Sequence, residues 1–136
     1  MSPVLENGDR VLISNPLLTG KIKRFDIVVI IPPRIPGKKL IKRIIGLPGE
    51  VIEIKNGNVM IDHCPLSEPF LKEKGDVMFR SLNMDPRKIP SGSYFLLGDH
   101  REKSTDSRKF GPLNKKSIVG KILFRYWPFK RIGILH

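Results

Sequence analysis

Two consecutive cations, Lys42 and Arg43, stand inside the otherwise apolar run Leu40-Ile-Lys-Arg-Ile-Ile-Gly46. Side chains alternate across an extended strand, so Leu40, Lys42 and Ile44 share one face and Ile41, Arg43 and Ile45 the other. Each cation then lies among apolar neighbours, an expensive arrangement unless it is paired or neutralised. An arginine cannot release its proton, so Arg43 needs a carboxylate partner. A lysine can: desolvation moves its pKa from about 10.4 towards roughly 7–8, where the amine works as a general base. The competing possibility is that β-edge placement lets both side chains snorkel into water.

A second segment concentrates polar chemistry. Gly98-Asp-His-Arg-Glu-Lys-Ser-Thr-Asp-Ser-Arg-Lys-Phe-Gly111 holds three acids, four cations, two serines and a threonine between two glycines. It follows the apolar run Tyr94–Leu97, so it begins where a strand ends, a common place for functional loops. Charge of alternating sign at that density predicts a rigid loop held by internal ion pairs, with Asp99, Arg101, Asp106 and Arg108 as members.

The elements that must position these residues are strands. The spacing predicts strands at Arg10–Ser14, Ile27–Ile31, Lys39–Ile45, Val51–Lys55, Asn58–Ile61, Tyr94–Leu97 and Lys121–Trp127, rich in Ile, Val, Phe and Tyr. Asn56-Gly57 supplies the two left-handed residues of a tight hairpin between two of them. Helical signal is confined to a turn or so at Asn114–Ile118. His63 to Ser93, with four prolines, reads as an irregular stretch that covers a site or hides further strands. The reading is one all-β domain.

Composition narrows the class. With 136 residues, 40% of them apolar, the chain has one domain's worth of core. Twelve glycines and twelve prolines imply many turns joining short elements. The longest uninterrupted apolar run, Ile27–Ile31, is far short of the roughly 20 residues that span a bilayer. Twenty-five Lys and Arg against thirteen acids give a net charge of +12, which favours contact with polyanions such as nucleic acid or an anionic membrane. The cations cluster in Lys21–Arg43 and Arg101–His136. Near the C-terminus Phe124, Tyr126, Trp127 and Phe129 alternate with Arg125, Lys130 and Arg131, a composition suited to the headgroup region of a membrane. His63, Cys64, His100 and His136 lack the spacing of a zinc site, and no glycine-rich phosphate loop precedes a helix. Neither a metal nor a cofactor is expected.

The N-terminal segment, the Lys42-Arg43 segment and the Gly98–Gly111 segment together resemble the type I signal peptidases, serine peptidase family S26. Met1-Ser-Pro-Val-Leu5 followed by Gly8-Asp-Arg-Val11 is similar to that family's nucleophile box, Ser-Met-x-Pro-Thr-Leu. Ile41-Lys-Arg-Ile-Ile-Gly-Leu-Pro-Gly-Glu50 is similar to its Lys-Arg-x-x-Gly-x-Pro-Gly-Asp box, and Gly98-Asp-His-Arg…Ser104…Asp106-Ser-Arg108…Gly111 to its Gly-Asp-Asn-Arg-x-x-Ser-x-Asp-Ser-Arg box. Ile118-Val-Gly-Lys121 and Arg125-Tyr-Trp-Pro128 are similar to its C-terminal part. His100 departs from the family's asparagine, and Val4 from its hydroxyl residue.

The resemblance implies an all-β fold of antiparallel sheets, sandwich- or barrel-like, over residues 1–136. It implies a serine endopeptidase with a Ser/Lys dyad that removes signal peptides from secreted preproteins and needs no cofactor. Lys42 falls on the general base and Ser104 on the serine that orients it. Arg43, Asp99, Arg101, Asp106 and Arg108 fall on supporting positions, with Asp99 the partner of Arg43. The family's nucleophilic serine falls immediately before Met1 and its membrane anchor further upstream, while Ser2 falls on a variable position. The expectation is therefore a catalytic domain that, as it stands, lacks nucleophile and anchor and is inactive alone. It is then part of a longer peptidase, or a non-catalytic homologue that binds secreted substrates. Partners implied are signal peptides and an anionic membrane surface, not nucleic acid, with the domain on the extracytoplasmic face of the cell membrane.

Overall fold

The computed structural model describes residues 5, 8–15, 20–33, 35–71 and 82–134. In chain order the strands are β1 (Arg10–Ser14), β2 (Ile27–Ile30), β3 (Leu40–Gly46), β4 (Val51–Lys55), β5 (Asn58–Ile61), β6 (Cys64–Pro65), β7 (Met84–Lys88) and β8 (Ser93–Leu97). A single helical turn, α1 (Ser107–Phe110), leads into β9 (Leu113–Asn114), β10 (Ile118–Trp127) and β11 (Gly133–Ile134).

These strands build two antiparallel sheets. The larger runs β1-β10-β2-β3-β8-β9 with β11 also on β10, and the smaller runs β6-β5-β4-β7. The all-β fold expected from the period-two pattern is the fold observed. β2 explains why its apolar run is unbroken: it lies inside the sheet with both faces covered. Val28 and Ile30 join Ile44, Leu96 and Ile118 on one face, while Ile27 and Val29 join Leu5 and Ile122 on the other. A third apolar cluster joins the sheets, with Ile45, Phe95 and Leu97 of the large sheet against Ile52, Ile54 and Val59 of the small one. At the hairpin between β4 and β5, Asn56 and Gly57 take φ of 48° and 73°, as two left-handed residues of a tight turn must.

Four points of the sequence reading are sharpened by the structure. The helical turn expected at Asn114–Ile118 is a 3-10 turn over Lys115–Ser117, capped by the Asn114 side chain, and Ile118 already begins β10. β10 therefore starts three residues earlier than expected, passing through Gly120, where any side chain would collide with Ile13 of β1. The stretch from His63 to Ser93 contains β6 and β7. Pro86 is tolerated in β7 because that strand is an edge, paired among the described residues only with β4. Finally, β3 lies between β2 and β8 from Arg43 onward, and Lys42 and Arg43 are buried rather than snorkelling into water, at 9% and 0% exposed.

Candidate active site

The site grows out of the register between β3 and its neighbours. Lys42 pairs with Val28 of β2, and Arg43 pairs with Ile27 on one side and Leu97 of β8 on the other. Lys42 thus comes level with Gly98, the first residue after β8. A methyl group on Gly98 would collide with Ser104 Oγ and lie 3.6 Å from Lys42 Nζ. The amine and the hydroxyl therefore converge on the space that the glycine leaves open.

Lys42 makes no hydrogen bond or ion pair among the described residues, and burial lowers its pKa below the usual lysine value. The Asp106 carboxylate opposes that shift, the Arg108 guanidinium adds to it, and Asp99 opposes it more weakly. Ser104 Oγ is buried without a well-formed hydrogen bond among the described residues, its contact with Asp106 being loose. A lysine that gives up its charge easily beside a hydroxyl with bonding capacity to spare can accept and relay a proton.

On the opposite face, Arg43 is handled differently. Its Nε and Nη2 reach the two Asp99 carboxylate oxygens at 2.9 and 3.0 Å. Nη1 donates to the Phe25 carbonyl at 3.0 Å, and the guanidinium lies 4.0 Å from the centre of the Phe70 ring. Sequence reasoning required a carboxylate here, and Asp99 supplies it.

The loop after β8 is tied down by ion pairs, one internal to it and others to residues outside it. Asp106 caps α1, accepting the Arg108 N–H at 3.2 Å and two guanidinium bonds from the same residue at 2.8 Å. Asp106 also accepts the Gly98 N–H at 3.1 Å. Burial alone would raise its pKa, but the Arg108 guanidinium and the Gly98 N–H overcome this and hold the carboxyl below its ordinary value. Arg101 turns outward from the loop instead. Its Nε donates to the Gly98 carbonyl at 3.0 Å, and its Nη1 reaches Glu68 at 3.2 Å with Nη2 closer still. Of the four charged residues expected to pair within the loop, Asp106 and Arg108 do so, while Asp99 is tied to Arg43 of β3 and Arg101 to Glu68.

Sequence reasoning missed Glu68, Phe70 and the bond by which Ser107 Oγ accepts the Leu96 N–H at 2.9 Å. The available signal was that a buried Arg101 needs an acceptor and that the stretch after His63 covers a site. Residues 1–4, including Met1 and Ser2, lie outside the described residues. On the β8 side, β3 is paired only from Arg43 onward, so Leu40, Ile41 and Lys42 have no strand partner there among the described residues. Among the described residues no cluster of His, Cys, Asp or Glu is arranged to hold a metal ion, and no helix is long and apolar enough to cross a membrane.

The family profile of signal peptidase, peptidase S26, matches residues 1–127. The chain belongs to that family. It is 41% identical over 145 residues to signal peptidase I of Bacillus caldolyticus, covering 98% of this chain and 78% of that protein. It is 35% identical to signal peptidase IB of Staphylococcus aureus, covering 95% of this chain and 74% of that one. A solved signal peptidase I from Enterococcus faecalis V583 matches with a TM-score of 0.63 at 34% identity, over 74% of this chain and 96% of the solved one. Signal peptidase function, in a family of serine endopeptidases, follows from this membership.

Proposed function

We propose that residues 1–136 form one catalytic domain that cleaves signal peptides from secreted preproteins through a Ser/Lys dyad. Lys42 is the general base, Ser104 orients its amine, and the nucleophile is a serine placed immediately before Met1. The observation that carries this reading is the convergence of the Lys42 amine and the Ser104 hydroxyl on Gly98. A buried lysine without an ion pair costs stability, and a non-catalytic homologue would have no use for it.

The substrate enters extended and adds a strand beside Leu40–Lys42. Alternate residues of such a strand face the same side, so small residues in an Ala-x-Ala pattern place two short side chains against the protein before the cut. The neutral Lys42 amine takes the serine hydroxyl proton as the oxygen attacks the scissile carbonyl carbon. The same proton goes to the departing amine as the C–N bond breaks, leaving an acyl-enzyme ester. Lys42 then takes a proton from water, whose oxygen attacks the ester. The peptide acid leaves and the serine regains its proton. No cofactor or metal takes part.

The test uses the chain with a serine placed before Met1 and an Ala-x-Ala peptide. Lys42→Ala lowers kcat by about 10³-fold or more, and Lys42→Arg fails as badly because arginine stays charged. Robust cleavage by either variant overturns the dyad.

The same reading places the domain at the extracytoplasmic face of the cell membrane, touching anionic lipid and not nucleic acid. Tyr126, Trp127, Phe129 and Ile132 are exposed, and Trp127 meets the Phe129 ring edge-on at 4.7 Å. Arg10 is the cross-strand neighbour of Trp127. Vesicles of phosphatidylglycerol and phosphatidylcholine should bind the chain more tightly than phosphatidylcholine alone, and Trp127→Ala with Phe129→Ala should weaken binding about tenfold. Equal binding to both vesicles removes the membrane contact.

A further inference from the structure

Glu68 belongs to neither box that carries the dyad, yet it is the acceptor for a buried arginine of the active-site loop. The side chains of Glu68 and Arg101 are 9% and 4% exposed. Arg101 in turn donates from Nε to the Gly98 carbonyl at 3.0 Å, and its own carbonyl accepts from Arg108 Nη2 at 2.6 Å. With the Gly98 N–H held by Asp106, the backbone of Gly98 is fixed on both sides. Gly98 is the residue whose missing side chain makes room for Lys42 and Ser104. Two residues beyond Glu68, Phe70 covers the Arg43 guanidinium and packs edge-on against Phe25, with ring centres 5.2 Å apart. One short segment therefore holds both buried arginines.

We infer that Glu68 is a positioning residue for this reaction: by holding Arg101 it fixes the Gly98 carbonyl, and with it the space shared by the Lys42 amine and the Ser104 hydroxyl. The inference rests on Lys42 being the general base. The charged groups acting on that amine are Asp106, Arg108 and Asp99. Val28, the cross-strand neighbour of Lys42 on β2, carries no charge. Once Arg101 is released, the loop loosens, water reaches the amine, and the protonated form is favoured.

The experiment is an NMR titration of the Lys42 side chain in lysine-labelled protein, with Lys42→Ala to assign the signal. Glu68→Ala is expected to move the Lys42 midpoint up. Loss of the carboxylate charge by itself acts in the opposite direction, since a nearby anion favours the ammonium form. Glu68→Gln, which keeps an acceptor for Arg101 without the charge, should leave the midpoint at or below that of the wild type. In the chain carrying the serine, Glu68→Ala should lower kcat about tenfold with KM little changed, as expected when reacting groups are misplaced. A midpoint that stays or falls in Glu68→Ala overturns the inference. Should Glu68→Ala fail to fold, Glu68→Asp keeps the charge and withdraws it by one methylene; an upward shift supports the inference and an unmoved midpoint overturns it. A depressed wild-type midpoint that ignores Glu68 sinks this inference alone. An ordinary lysine midpoint in the wild type sinks the general-base reading and this inference with it.

Discussion

Lys42 and Arg43 are consecutive residues of one strand, both inside the protein, and the two faces of β3 treat them in opposite ways. Arg43 is fully buried, and Asp99 meets its guanidinium with two parallel hydrogen bonds while the Phe70 ring closes over it. Lys42 is given no ion pair among the described residues, and burial pushes its pKa down. The difference lies in the chemistry of the two head groups. A guanidinium under desolvation has no way out except a partner, whereas an ammonium can release its proton. The arginine face therefore serves as framework and the lysine face as a proton acceptor.

The largest effect should come from breaking the framework side. Arg43→Ala leaves Asp99 buried without its partner, and breaking a buried pair in this way costs about 3–5 kcal/mol, a large share of the roughly 5–15 kcal/mol that holds a domain folded. Arg43→Met with Asp99→Leu should lose far less than the sum of the single changes, since no lone charge remains inside. Urea unfolding of the wild type, Arg43→Met, Asp99→Leu and the double variant measures this. If the losses of the two single variants simply add, the pair is not the unit described here.

How far this contrast was legible in the sequence depends on what each residue demands locally. Alternation put Lys42 and Arg43 on opposite faces, and the obligate charge of arginine called for a carboxylate, so that half of the site could be read from residue types alone. The strands from Ile27, Val51 and Tyr94 were equally plain, because Ile, Val, Phe and Leu recur there with short period and turn residues close the ends. β6, β9 and β11 have two residues each, too few to show any period. β7 reads Met-Asp-Pro-Arg-Lys and owes its strand to its place at a sheet edge. Glu68 lies 33 residues before Arg101, and no local pattern links them. Only the folded chain decides which acid reaches a given buried cation.

The smallest effect sharpens the lysine side, and it carries a sign. In the folded protein Lys42 gives up its proton at a lower pH than in the unfolded chain. Between those two values the unfolded chain holds the extra proton, so wild-type stability rises with pH across that interval. Below the interval the full cost of the buried charge is carried by the folded state. Lys42→Met removes that cost and keeps a side chain of similar reach, so it should be more stable than the wild type by on the order of 1 kcal/mol at neutral pH. The gain should shrink as pH climbs towards the ordinary lysine pKa of about 10.4, where the wild type is neutral folded or unfolded. Urea unfolding of both proteins at a series of pH values reads the difference directly. A gain that does not change with pH would mean that the amine is hydrated in the folded state and that the two faces of β3 treat their cations alike. A gain that fades on the alkaline side would show stability given up at Lys42 to keep a proton acceptor inside the fold, as expected where a site needs a group its surroundings disfavour.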